Sequence, residues 1–251
     1  MKVIITKNYD EMSEKGANLI VDTISAKPGC VLGLATGSTP IGMYQKLVNY
    51  YNQNKVDFSR VATFNLDEYK GLSGNHVQSY RYFMDNNLFN HININKTNTH
   101  VPDGTAENVE EECKKYDSII FQSGGIDLQV LGIGNNGHIG FNEPSDTLTA
   151  GTHVTSLTIE TIHANARFFQ SIDEVPTEAI TMGLGGIMKS RKILLLASGG
   201  SKANIIKELI DGKINTKIPA SLLQVHPDVT IIVDEAAAAD LKDIPNNMLI
   251  A

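Results

Sequence analysis

Two runs in this chain, CVLGLA (Cys30 to Ala35) and KILLLA (Lys192 to Ala197), are apolar without alternation. A strand with one wet face alternates apolar and polar residues, so an unbroken run belongs to a strand covered on both faces, the usual state of a parallel sheet flanked by helices. The segments around them fit. KVIIT, RVATFNL, IDLQVLGIG, THVTSL, EAITMG and VTIIVD read as strands. Met12 to Ile24, Ile41 to Tyr51, Val77 to Phe89, TIETIHANARFF and Lys202 to Ile210 have helical periodicity, and an Ala-rich stretch, Glu235 to Leu241, follows the last strand. The succession βαβα predicts an α/β fold, doubly wound, with a mostly parallel sheet and helices on both faces. At 251 residues, with no repeat or low-complexity tract, one domain over 1–251 is the expected organisation.

The formal charge of −7 leaves no broad basic surface for a nucleic-acid backbone, so no nucleic-acid partner is expected. The opening MKVIITKNYDEMSEKG is too polar for a signal peptide, and no apolar run approaches the ~20 residues of a membrane span, so no membrane partner is expected either. Cys30 and Cys113 have no metal or redox spacing and read as small buried hydrophobes in a reducing, cytoplasmic setting.

In an open α/β sheet the ligand crevice lies beyond the carboxyl ends of the strands, which directs attention to the loops after LGLA, TFNL, VLGIG and LLAS. The first carries Thr36, Gly37, Ser38, Thr39 and Pro40. It is either an ordinary helix start, capped by Ser38 or Thr39, or a phosphate cradle built from hydroxyls and backbone N–H groups. The loop after LLAS repeats the theme with Gly199, Gly200, Ser201 and Lys202, a lysine placed either for solvent or for an anion. Arg167, beside Phe168 and Phe169, can snorkel over apolar neighbours or bind substrate. After TFNL come Asp67 and Glu68. Adjacent side chains on extended backbone point to opposite faces, so at most one enters the crevice, as a base or as a helix cap.

The stretch VLGIGNNGHIGFNEP contains GxGxxG at Gly132, Gly134 and Gly137, a formal dinucleotide fingerprint. That fingerprint requires a helix containing the third glycine and an acidic residue about 20 positions on, at the end of the next strand. Here Gly140 and Pro144 rule out a long helix, and Glu160 falls inside a helical segment. The glycines instead support a loop presenting Asn136, His138 and Glu143, a histidine with a carboxylate five residues on that can fix its tautomer. No third ligand stands at metal spacing and no GxSxG elbow occurs, so neither zinc nor a serine nucleophile is expected.

FNLDEY, GIGNNGHIGFNEP, the ATGSTP turn, NARFF and the SxK of GGSKAN, in this order, resemble the glucosamine-6-phosphate deaminase family over nearly the whole chain. The resemblance implies a single Rossmann-like domain and conversion of glucosamine 6-phosphate and water to fructose 6-phosphate and ammonium, with no metal or organic cofactor. It assigns Asp67 as the base that moves a proton from C2 to C1 through a cis-enolamine. It assigns His138 to ring opening, with Glu143 as its carboxylate partner. Thr36, Gly37, Ser38, Thr39, Arg167 and Lys202 match substrate and phosphate contacts, and about residues 153–182 match a mobile lid.

Two departures matter. Asn136 stands where many relatives carry an aspartate; it can orient His138 but holds no charge, which implies a shifted pH profile. His153 and Thr155 stand where relatives activated by N-acetylglucosamine 6-phosphate carry arginine and lysine, so no such activation is expected. A 6-phosphogluconolactonase-like hydrolase shares fold and phosphate handle but has no use for Asp67. A sugar-phosphate sensor would have lost the catalytic set.

Overall fold

The computed structural model describes residues 1–166 and 169–241. The first half runs β1 (Lys2–Thr6), α1 (Tyr9–Ala26), β2 (Val31–Leu34), α2 (Ile41–Asn52), β3 (Ala62–Asn65), β4 (Asp67–Tyr69), α3 (Tyr80–Asn87), β5 (Thr99–His100) and α4 (Val109–Gln122). The second half runs β6 (Leu128–Leu131), β7 (His153–Ser156), α5 (Ile159–Ala166), β8 (Glu178–Thr181), α6 (Leu184–Met188), β9 (Lys192–Ala197), α7 (Ala203–Ile210) and β10 (Val229–Asp234).

Seven strands form one sheet in the order β1-β10-β9-β6-β2-β3-β5, every pair parallel. The two unbroken apolar runs are β2, all four residues buried, and β9, buried from Ile193 to Ala197. Their side chains meet those of α1 (Met12, Ala17, Ile20, Ile24) and α2 (Met43, Tyr44, Leu47) in one core cluster. A fully buried Leu, Ile or Met contributes about 1.5–3 kcal/mol relative to exposure, so this cluster is the main stabilising term. Cys30 and Cys113 are both buried thiols. Local chemistry sets the helix starts: Asn8 accepts the Glu11 N–H, Ser79 the Tyr82 N–H and Asn108 the Glu111 N–H.

After β2 the chain moves outward through β3 to β5, then returns to the other side of β2 as β6. The β2–β6 boundary is therefore the switch point of the sheet, where the loops diverge and leave a crevice.

Sequence periodicity misplaced several features. The segment Val77 to Phe89 is helical only from Tyr80 to Asn87, because Ser79 caps it there. THVTSL and EAITMG do not join the main sheet. As β7 and β8 they form a second, antiparallel sheet with β4, in which Asp67 pairs with Thr181 and Tyr69 with Ala179. A small apolar cluster of Tyr69, Phe141, Leu157 and Ala179 packs beside it, with Tyr80 and Phe169 at its margin.

Candidate active site

A cavity of about 580 Å³ opens at the switch point. The turn after β2 lines it with Thr36, Gly37, Ser38 and Thr39, the loop after β6 with Asn136 and His138, β4 with Asp67, and the turn before α7 with Lys202. Four segments distant in sequence converge there. Arg167 lies outside the described residues.

Asp67 and Glu68 part company at β4. Asp67 lines the cavity, while the Glu68 carboxylate accepts the backbone N–H groups of Tyr69, Tyr80 and Arg81 at 2.9–3.0 Å. Glu68 thus serves the start of α3, where unpaired N–H groups favour an anion. Burial, with a smaller contribution from the neighbouring Glu68 charge, pushes the Asp67 carboxyl up to about 8. Burial also raises Glu68, to about 7, against the lowering effect of its three N–H donors.

The loop after β6 owes its shape to glycine. A Cβ on Gly134 would overlap the His138 imidazole, and Gly137 has φ +86° with Ile218 and Ile205 closing over its Cα. The loop closes on itself through Gly134 N–H to the His138 carbonyl, 2.9 Å, and is tied outward by Ala220 N–H to the Gly137 carbonyl, 2.9 Å. The GxGxxG spacing therefore serves a tight loop, and no helix follows it.

Within that loop His138 Nδ1 lies 3.2 Å from Glu143 Oε2. The same oxygen accepts the Asn136 amide at 2.8 Å, and Asn136 Oδ1 accepts the His138 backbone N–H at 3.2 Å. Thr161 of α5 donates to the other oxygen, Glu143 Oε1, at 2.7 Å. Burial would raise the Glu143 carboxyl, but the hydrogen bonds from His138, Thr161 and Asn136 outweigh it and hold the group below the ordinary carboxylate range. An ionised carboxylate on Nδ1 leaves Nε2 for proton exchange with a ligand.

In the turn after β2 the capped alternative is not realised. Neither Ser38 nor Thr39 caps α2; Pro40 occupies the cap position with no side-chain hydrogen bond. The Tyr9 hydroxyl, from the start of α1, accepts the Gly42 N–H at 2.8 Å and donates to the Ser38 carbonyl at 3.0 Å. An external tyrosine fixes the turn, so its serine and threonine hydroxyls are not consumed by capping. Gly37 has φ +92°, as a tight turn requires. Across the cavity Lys202 donates to the Ile133 carbonyl at 2.8 Å, bracing two loops, and burial lowers its ammonium below the ordinary lysine value. Gly199 N–H and the Ser198 hydroxyl both bind the Asp234 carboxylate, which anchors the turn that carries Lys202.

Sequence reasoning did not single out Tyr80, Phe141 or Thr161, all of which line the cavity. For Thr161 a signal existed: Thr158 accepts its N–H at 3.2 Å in the T-x-x-T pattern of a helix start. Among the described residues no three His, Cys, Asp or Glu side chains converge as a metal site, and no helix is long and apolar enough to cross a membrane.

Residues 6–232 match the family model described as glucosamine-6-phosphate isomerases/6-phosphogluconolactonase. The chain is 62% identical over 242 residues to a glucosamine-6-phosphate deaminase of Clostridium perfringens strain 13, covering 96% of this chain and 100% of that one. Among solved structures, a monomeric glucosamine-6-phosphate deaminase superposes with a TM-score of 0.94 at 44% identity, over 96% of this chain and 100% of that one. A 6-phosphogluconolactonase from Thermotoga maritima shares the fold, with a TM-score of 0.73 at 22% identity over 93% and 100% of the two chains. With nine-tenths of its length matched and this fold around the crevice, the chain belongs to the family of glucosamine-6-phosphate isomerases and 6-phosphogluconolactonases.

Proposed function

We propose that the protein is a glucosamine-6-phosphate deaminase, converting glucosamine 6-phosphate and water to fructose 6-phosphate and ammonium. The observation that carries this reading is the meeting of the Asp67 carboxylate, the His138 ring backed by Glu143 and the Lys202 ammonium at one sugar-sized cavity. The identity to named deaminases supports it.

In this reading the phosphate sits against the Thr36–Thr39 turn and Lys202, with Arg167 as a further contact. Binding energy gained there orients C1 and C2 of the sugar at Asp67. His138, with Glu143 fixing its ring, exchanges the proton that opens the pyranose. Asp67 then takes the C2 proton and returns it to C1, and water displaces ammonium from C2. A carboxylate poised at about 8 is a stronger base than one in water, and a substrate ammonium beside it favours its ionised form. Asn136 orients without charge. The chain works as one catalytic domain covered by a lid within about 153–182, and its swing is confined to the part between β7 and β8, since β7 is laddered to β8 and β8 to β4. A site without arginine and lysine at His153 and Thr155 gives no activation by N-acetylglucosamine 6-phosphate.

The test is to incubate the purified protein with glucosamine 6-phosphate and follow ammonium and fructose 6-phosphate together, with D67N as control. Equal release of both, lost in D67N, is expected. Hydrolysis of 6-phosphogluconolactone without ammonium release from the amino sugar would transfer the protein to the lactonase branch.

A further inference from the structure

The lid helix α5 reaches the acid/base pair through one side chain. Thr161 is 7% exposed, and its hydroxyl donates to Glu143 Oε1 at 2.7 Å. The Thr158 hydroxyl in turn donates to Thr161 Oγ1 at 3.0 Å, which leaves the Thr161 proton directed at the carboxylate. Glu143 spends its second oxygen on Asn136 and His138. The carboxylate is thus held from two sides, by its own loop and by a helix from the covering segment eighteen residues on.

We propose that Thr161 is a positioning residue which couples the seating of α5 to the His138–Glu143 pair, so that the proton shuttle reaches its working state only when the helix is down. This inference rests on the deaminase reading for its kinetic consequence, but the coupling itself belongs to the free protein. A neutral hydroxyl donor disperses part of the negative charge on Glu143 and so weakens its hold on an imidazolium proton. Removing the donor leaves a more basic carboxylate and a more basic imidazole. Other charged groups lining the same cavity are Asp67 from β4, Lys202 from the turn before α7 and Glu160 from α5 itself. T161V alters none of them. Valine keeps the branched shape of threonine, so it removes the hydrogen bond with little loss of packing.

The experiment is an NMR titration of the His138 ring in the full-length protein, without substrate, for wild type, T161V and T161S. The expected result is a midpoint raised by about half a pH unit in T161V and restored in T161S. With glucosamine 6-phosphate, T161V is expected to lower kcat and shift the pH profile of kcat/KM upward, with T161S close to wild type. An unchanged His138 midpoint in folded T161V, or a rise in KM alone, would overturn the proposal and reduce Thr161 to a packing residue. A wild-type protein that fails to turn over the amino sugar would overturn the deaminase reading instead, and the NMR comparison would still decide the coupling.

Discussion

Asp67 and Glu68 are chain neighbours on β4 with opposite duties: one carboxylate faces the cavity, and the other is spent on three backbone N–H groups at the head of α3. Their closeness raises Asp67 further than burial alone. Between them they define what each substitution should do.

D67N should lower kcat by about 10²–10⁴-fold, the usual worth of a positioned acid/base group. It should also change stability. The folded protein holds the Asp67 proton up to about 8, whereas an unfolded aspartate releases it near 4, so wild-type stability falls as pH rises through that window. D67N should be the more stable protein at pH 8–9, with the gap closing toward pH 4. Urea unfolding at several pH values checks the sign.

E68A removes the acceptor for three N–H groups and should destabilise the fold by about 2–3 kcal/mol, the cost of buried donors left unpaired. E68Q keeps an acceptor oxygen and should cost less. If E68A unfolded at the wild-type urea midpoint, the anchoring role of Glu68 would be refuted.

N136D trades an amide donor to Glu143 for a second carboxylate beside it. Two like charges around one imidazole favour its protonated form, so the pH profile of kcat/KM for glucosamine 6-phosphate should move upward. A profile superimposable on wild type would sink this reading of Asn136.

G134A places a methyl group where the His138 ring lies. Displacing the ring by about 1 Å should cost about 100-fold in kcat/KM, with the circular dichroism spectrum unchanged. Full activity would mean that the ring position does not matter.

Saturation curves for glucosamine 6-phosphate should be hyperbolic and indifferent to added N-acetylglucosamine 6-phosphate. His153 binds its own loop, Nδ1 lying 3.0 Å from the Gly151 carbonyl, and offers no fixed cation. A sigmoidal curve straightened by the acetylated sugar would contradict this.

The main sheet and the loops that carry chemistry were legible because burial on both faces writes itself into CVLGLA and KILLLA, and because sheet topology dictates where loops gather. The pairing of β7 and β8 with β4 was not. A three-residue strand has no period to read, and its partner β8 lies more than 100 residues away, with β7 joined in turn to β8. The choice between a capped helix start and a free cradle at Ser38 and Thr39 was open for a similar reason, since the group that secures the turn is Tyr9, 29 residues upstream. Which of Asp67 and Glu68 faced the crevice depended on where α3 begins, a tertiary fact. The contact between Thr161 and Glu143 joins two segments whose sequences give no hint of each other.

The ladder that sets Asp67 opposite Thr181 has a practical corollary for protein engineering. Grafting the β7–β8 segment of a relative onto this scaffold would transplant one side of a strand pair whose other side holds Asp67. A one-residue slip in the donor strand would turn Thr181 to the opposite face and change which residue stands beside Asp67. Chimeras built to widen the range of accepted sugars should therefore be screened for that register before any new sugar contact is credited.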